Sequence, residues 1–554
     1  MEFAYEPANE DIRVVVGVGF AYAYVQENKE KIEIVVNEEW GKFKSPNKTN
    51  TALQYDETYR AVLNWGIGAL SSEPTKRKKF KLPKPIEYFK LYLCDDVSEK
   101  KKPKLPQEIT FEKAITDFLR EMADFKLKFR EEKIENHWPG IDFHKHVLLV
   151  FTVPAEFNEK VRIIMRKCIF DAGLIRSLGT LNLQFTTELH CIDKLREFGV
   201  LNEGETYLVV DCGGGTVDLT VRRLLAGGRI AETTERTGGL CGSTYIDDEF
   251  LKFLEVKAGK SAVKILREKH YDQVNYLVHK FFCPNVKIPF SGKENDFKII
   301  EFDIEKKCPA LIQYINGPEK DQLENDEWVI DLDFATVKSF FDPAINMIRR
   351  LIDFQLSQCP NCSVLFLVGG FGESRYLQQM IKENFGGKLR ISVPPNPAAA
   401  ISRGACEYGL DMRIIATRVL KWSYGVMVYN VWQGSDPISR MESNGRIKKF
   451  HLLACKGTEV EVEKEFSDTM VPINADQTSV LFQFFYTSEY NATYCDEPHV
   501  MKLGDFKVNG LPTASSGLDR SVLISLRFAS MENTVATAKS LHNGNVYQTI
   551  FSMK

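Results

Sequence analysis

No apolar run in this sequence reaches the roughly 18 residues that a membrane-spanning helix needs. The opening residues Met1 to Glu6 also lack the basic-then-apolar order of a secretory leader. Net charge is close to absent: 72 basic residues stand against 75 acidic ones, leaving −3, so no global field draws nucleic acid or an anionic membrane. The 12 cysteines follow no repeating spacing, which argues against a disulfide framework and for free thiols in a reducing compartment. No tandem repeat of solenoid type is present. These absences lead to the expectation of a cytoplasmic or nuclear protein with no nucleic-acid or membrane partner.

What is present is a long chain of 554 residues with an ordinary apolar content of 44%, enough for three or four structural units. Residues 14–36 read as β. Residues 41–110 read as irregular, rich in Lys and Pro, and the charge run Glu99 to Lys104 reads as a solvated loop. From Phe111 the period becomes helical, with Ile115, Phe118, Leu119, Met122 and Phe125 on one face. A buried strand at 147–154 and a helix at 157–172 follow, then β at 207–221 and helix at 246–283. A further helix spans 341–356, and an apolar strand covers 364–368. Such alternation predicts an α/β fold up to about residue 410. Beyond it, alternating runs such as Leu481 to Tyr486 and the turn pair Asn543-Gly544 predict a mostly β region at 415–554.

One tract carries chemistry. The apolar strand Tyr207 to Val210 ends in Asp211; Gly213-Gly214-Gly215 follow, and Thr216 to Val221 is a second β run. Rossmann and Walker loops each lead into a helix, so this strand–turn–strand is neither. Consecutive glycines permit positive φ and remove side chains, letting backbone N–H groups surround an anion. Asp211 stands where it can hold waters of a Mg²⁺ ion, and Thr216 and Asp218 can bond near a terminal phosphate. The plainer reading of the tract is a β-hairpin with a glycine turn, which leaves three glycines beside two aspartates without a purpose. A second turn, Gly369-Gly370-Phe371-Gly372, leads from strand into helix. It reads either as close backbone access for a ligand or as strand–helix packing.

Asp211 to Asp218 resembles the second phosphate motif of the 70-kDa heat-shock family, within the actin-like ATPase superfamily. Leu367-Val368-Gly369-Gly370 resembles that family's adenosine motif. Thr152 to Asn158 resembles the segment preceding its first connecting motif, and Pro395 to Ala405 its second connecting helix, whose small residues let two helices cross closely. Gln184 to Glu188 and Lys421 to Gly425 are similar to the divergent twelve-type branch, which has an atypical C-terminal part. The resemblance implies a two-lobed actin-like ATPase built on ribonuclease-H-like repeats. Its first lobe would span 1–204 with an insertion at about 40–140, its second lobe 205–414, and a mostly β appendage 415–554. It implies ATP or ADP with Mg²⁺ as cofactors, the metal held by Asp211 through waters. Phosphate or ribose contacts fall to Gly213, Gly214, Gly215, Thr216, Asp218, Gly239, Gly242 and Ser243. Gly369, Gly370 and Gly372 would border the adenine. Lys287 is either a nucleotide contact or a surface residue. Glu188 and Lys90 take catalytic places beside Asp211, Lys90 as one lysine among many. Protein clients or co-chaperones are the partners it implies.

The pattern is broken in two places. The family's first phosphate motif belongs in the opening hairpin, as a strand followed by Asp, Gly and hydroxyl residues. Residues 14–25 here contain no Asp, Ser or Thr. After Glu188 the family continues with Pro and an alanine-rich helix start, but this chain reads Leu189-His190-Cys191. These losses read as a drifted paralogue or as an altered reading frame. Loss of one preorganised donor costs ~3 kcal/mol of transition-state stabilisation, and loss of a whole loop costs more. The expectation is an ATP-binding, chaperone-like protein with impaired hydrolysis. The alternatives are a pseudo-ATPase scaffold and a small-molecule kinase of the same fold. Cys359-Pro360-Asn361-Cys362 reads as structural, because it precedes a strand rather than starting a helix.

Overall fold

Val14-Val15-Val16 is too short for a helix and too apolar for a loop, and it forms a fully buried strand. In the computed structural model this is β1 (Val14–Gly17), pairing antiparallel with β2 (Ala21–Tyr24), which pairs in turn with β3 (Ile34–Val36). The structure describes residues 12–17, 21–24, 34–36, 49–70, 83–94, 102–129, 140–153, 159–187, 201–412, 415–461, 464–528 and 534–551. Within 49–94 it departs from the irregular expectation. Strands β4 (Ala52–Tyr55), β5 (Val62–Trp65) and β6 (Ile86–Glu87) make a small antiparallel sheet. These strands are too short to show an alternation of their own, so pairing with one another decides their conformation.

The predicted amphipathic helix is α1 (Phe111–Phe129), burying Ile115, Leu119 and Met122. Strand β7 (Val147–Val153) lies parallel to β1, and β8 (Leu183–Thr187) parallel to β7, with α2 (Glu159–Asp171) as the crossover. The resulting order is β3-β2-β1-β7-β8. A second sheet begins with β9 (Thr206–Cys212) and β10 (Val217–Leu224), the strands on either side of the glycine tract. The chain continues through β11 (Ile230–Glu232) to β12 (Thr237–Gly239), which pairs with the start of β10.

The stretch read as helical at 246–283 is helical, in four segments. They are α3 (Thr244–Ala258), α4 (Lys260–Lys269), α5 (Tyr271–Tyr276) and a π-helical run at Leu277–Lys287. Strands β13 (Ile300–Asp303) and β14 (Val329–Leu332) pair antiparallel. The long helix α6 (Phe334–Gln358) starts on Asp333, whose carboxylate accepts from the Thr336 N–H. Strand β15 (Cys362–Val368) runs parallel to β9 and to β16 (Arg390–Ser392), with α7 (Arg375–Phe385) capped by Ser374 between them.

Helix α8 (Ala400–Leu410) packs against β1 and β7. The small residues of this segment serve a helix-on-sheet contact; the stretch after Glu188, which a helix–helix crossing would need, lies outside the described residues. A Cβ on Gly409 would sit 2.5 Å from Val15 Cγ1 and 2.8 Å from Val150 Cγ2. One on Gly17 would sit 2.1 Å from the Ser402 carbonyl oxygen. Either substitution would force helix and sheet apart.

The chain folds as two units. The first holds residues 1–157, 163–220 and 236–412, and the second holds 158–162, 221–235 and 413–554. In the second, the end of β10 pairs with β11, which pairs with β17 (Ile415–Val419). Next come β18 (Ser423–Val431), β19 (Arg446–Ala454), β20 (Glu459–Glu461), β21 (Glu465–Met470) and β22 (Ser479–Thr487). The series ends with β23 (Val500–Asn509), β24 (Val522–Arg527), β25 (Thr534–Ser540) and β26 (Val546–Phe551). β20 pairs with β17, and the others form the sheets β19-β18-β22-β23 and β21-β24-β25-β26, with Phe482, Phe484, Phe506, Ile524 and Leu526 in their shared core. Asn543-Gly544 lies in the turn between β25 and β26, with Gly544 at φ 70°.

Candidate functional site

Parallel pairing of β9 with β15 sets Asp211 directly opposite Val368, so both glycine turns leave the sheet at the carboxyl ends of adjacent strands. Crevices outside those ends are where open α/β sheets bind ligands. The turns also touch. Gly369 has φ +83°, and a Cβ there would lie 2.1 Å from Asp211 Oδ1 and 2.4 Å from the Cys212 carbonyl oxygen. Only glycine lets this backbone lie against the carboxylate. The turn is tied down by the Gly369 N–H, which donates to the Pro397 carbonyl at 2.8 Å. Asp211 and Asp218 are both buried, at 7% and 6% exposure.

A third segment closes on the glycine tract from the side. The N–H groups of Gly242, Ser243 and Thr244 donate to the carbonyls of Gly215, Gly213 and Gly214 at 3.2, 3.1 and 2.9 Å. The Thr244 hydroxyl adds a second bond to the Gly214 carbonyl. These bonds occupy N–H groups at the start of α3 and hold the tract's carbonyls toward that helix. A Cβ on Gly242 would meet Gly214 O at 2.4 Å, so this approach too requires glycine. Gly239 pairs with Val217 at the foot of the tract.

The tract itself differs from expectation in one respect. Positive φ is found at neither Gly213, Gly214 nor Gly215. A Cβ on Gly214 or Gly215 would meet no atom within 4 Å. Backbone strain and internal crowding therefore do not demand glycine at these two positions. What the missing side chains leave is space at Gly214 and Gly215 that no described residue fills, while the Gly213 N–H donates to the Thr216 carbonyl at 2.9 Å and Asp211 and Asp218 stand at the two ends of the turn.

Two thiols lie beneath the turn. Burial pushes the Cys212 thiol far up, with the Asp211 charge adding to it. Cys241 is pushed up to about 12 by burial and by Asp218. Both are neutral at physiological pH and pack as small apolar groups.

Of the remaining sequence-derived residues, Gly370 and Gly372 continue the 369–372 turn, and the Gly372 N–H donates back to the Gly369 carbonyl at 3.1 Å. Lys287, at the end of the π-helical run, is held by one partner: its Nζ lies 2.8 and 2.9 Å from the two Asp247 carboxylate oxygens. Lys90 is exposed on a 3-10 turn at Phe89–Leu93. Glu188, like the Val18-Gly19-Phe20 link of the first hairpin, lies outside the described residues. That link is only residues 18–20, between the paired positions Gly17 and Ala21.

Sequence reading missed a polar contact between the 83–94 segment and α5. The Tyr271 hydroxyl donates to Glu87 Oε2 at 2.5 Å, and Lys84 Nζ sits 3.8 Å from the Tyr271 ring centroid. Withdrawal from water pushes the Glu87 carboxyl up, while the Tyr271 hydrogen bond and Lys84 pull the other way. No local pattern marks these residues, because 184 positions separate the two partners.

No family-level sequence model matches the chain. Individual proteins do. Heat shock 70 kDa protein 12A of Homo sapiens is 27% identical over 370 residues, covering 62% of this chain and 54% of that protein. Heat shock 70 kDa protein 12B of Homo sapiens is 24% identical over 380 residues, covering 63% and 54%. The chaperone protein dnaK of Guillardia theta is 24% identical over 306 residues, covering 51% and 45%. The chain thus spans about half the length of the relatives it matches. The order of the motifs along the chain and these likenesses agree: the chain is similar to the 12-type proteins of the 70-kDa heat-shock family.

Proposed function

We propose that this protein binds ATP or ADP at the meeting of the two glycine turns, as a chaperone-like nucleotide switch with weakened hydrolysis. The observation that carries the reading is the open space at Gly214 and Gly215, two glycines that nothing among the described residues requires. A phosphate chain approaching those amides would use that space, as anions use backbone nests elsewhere. The carbonyls of the same turn are held by the start of α3, which favours amides that face outward.

The residues fit a magnesium nucleotide. Among the described residues no group of three His, Cys, Asp or Glu side chains could hold a metal. Asp211 would therefore hold Mg²⁺ through water, with phosphate oxygens completing the shell, an arrangement suited to an ion that dehydrates reluctantly. That ion would supply charge neutralisation at the phosphates. The chain's own part is to place Asp211, to present the tract's amides and to keep Gly369 backbone against the carboxylate.

In this reading the chain is a two-lobed actin-like domain, 1–204 and 205–414, followed by a β appendage at 415–554. Binding would use one phosphate turn where the family uses two. Residues 18–20, between β1 and β2, hold no Asp, Ser or Thr, which favours binding over turnover. A protein that binds nucleotide and signals by partner contact is the second reading, favoured by the same short link.

Titration with a fluorescent ATP analogue, with and without Mg²⁺, tests binding, and single-turnover hydrolysis tests the rest. Magnesium-dependent binding with phosphate release near the uncatalysed rate is expected. Turnover at the rate of ordinary chaperones of the family would overturn impaired hydrolysis, and absence of binding would overturn the site.

A further inference from the structure

A cavity of about 270 Å³ opens on the β7–β8 pair, at the end where β7 begins. Its floor is apolar and buried: Val147 and Leu149 from β7, Leu174 and Ile175 from the segment after α2. Its rim is cationic. Lys145 and Arg176 are exposed there beside His144, and among the described lining residues one carboxylate, Asp142, stands against them. That carboxylate accepts from the His144 backbone N–H at 2.9 Å, as the cap of the short helix 143–146, and the Arg176 charge also acts on it, so a ligand carboxylate would share Arg176 with Asp142. Ser177, Thr180 and Asn182 supply neutral polar groups.

The walls are fixed from behind. The Asn182 amide donates to the carbonyls of His144 and Lys145, both at 3.0 Å, and its own backbone carbonyl accepts from Leu149 N–H at 2.8 Å. The Arg166 guanidinium, reaching over from α2, donates to the carbonyls of Leu178, Thr180 and Leu183 at 3.2–3.3 Å. Both walls are thus held by side-chain bonds whether or not a ligand is present, so little ordering cost falls on binding.

From this geometry we infer a second small-molecule site, taking a compact organic anion: a ring-sized apolar body that carries one carboxylate. A dry cavity of about 150 Å³ holds benzene, so this one admits a ring with its substituent. The apolar floor takes the ring, and the rim cations, Arg176 foremost, take the carboxylate as a planar fork suited to it. Pockets with an apolar lining and a few convergent polar groups are the usual form of such sites.

Benzoate is the probe, with benzyl alcohol as its neutral counterpart, followed by saturation-transfer NMR and isothermal titration on the full chain. Saturable benzoate binding at about 1 mM or tighter is expected, with benzyl alcohol weaker by about tenfold. Arg176→Gln and Lys145→Gln change exposed side chains and should leave the fold intact, as judged by an unchanged melting temperature. Each should weaken benzoate by about tenfold. Saturating Mg²⁺-ATP should not displace it. The inference is overturned by non-saturable binding, by equal affinity for benzyl alcohol, by unchanged affinity in both variants, or by displacement with ATP.

Discussion

The Asp211 carboxylate lies where a side chain on Gly369 would have to go: a Cβ at that position would be 2.1 Å from Asp211 Oδ1. The two residues belong to strand ends that pair in parallel, one strand earlier and one later in the chain. Gly369→Ala is therefore expected to do two things at once. Left-handed φ costs an L-residue roughly 1–2 kcal/mol, and the overlap adds to that because backbone atoms of Cys212 also stand in the way. Thermal unfolding should shift down by several degrees, and nucleotide binding should be lost with displacement of Asp211. A variant with wild-type melting temperature and wild-type affinity would show that the two turns do not meet.

Gly214→Ala and Gly215→Ala separate ligand approach from folding. Neither site has positive φ and neither Cβ would meet another atom within 4 Å, so stability should be unchanged within about 0.5 kcal/mol. A methyl group in the path of a phosphate should nonetheless weaken ATP by about tenfold, or ~1.4 kcal/mol. Melting curves and nucleotide titration on the same preparations give the comparison. Equal affinity in both variants would remove the argument that these glycines are kept open for a ligand.

How far the sequence reveals this site follows from what kind of information each part needs. Gly213 to Gly215 between two β runs is legible because the constraint sits in consecutive residues. The mixed α/β order is legible for the same reason, since periods of two and 3.6 are local. The approach of Gly369 to Asp211 needs the pairing of β9 with β15, and nothing in either strand names its partner. Lys287 reads as a cation near phosphate, but its carboxylate partner Asp247 is 40 positions away on another helix. The π-helical run at 277–287 is hidden as well, because its buried residues still fit an ordinary helical stripe over so few turns.

A buried ion pair in the second unit gives a test of stability alone. Arg222 on β10 and Glu232 on β11 are cross-strand partners, 1% and 6% exposed at their side chains, with Arg222 Nη2 3.5 Å from Glu232 Oε1. Removing Glu232 takes away the carboxylate that faces the buried Arg222 guanidinium and accepts from the Val419 N–H, and breaking a buried pair costs up to about 3–5 kcal/mol. Glu232→Ala should therefore lower the unfolding midpoint strongly in chemical denaturation. Replacing both residues by apolar ones of similar volume should recover much of the loss. A single substitution with no effect would mean that water reaches the pair.

Glu87 should leave a signature in the pH dependence of stability. Its carboxyl is pushed above the ordinary glutamate value chiefly by withdrawal from water, so the folded state holds its proton to higher pH than the unfolded chain does. In that window the unfolded state binds fewer protons, and stability must fall as pH rises from the ordinary glutamate value through the folded one. Glu87→Gln removes the titrating group while keeping an oxygen that can accept from the Tyr271 hydroxyl. Its melting temperature should decline less steeply than wild type over that range. Tyr271→Phe removes a bond that favours the ionised carboxylate, so the folded value should rise further and the decline should extend to higher pH. If all three proteins trace parallel curves, Glu87 titrates alike in the folded and unfolded chains, and its contact with Tyr271 has no energetic consequence.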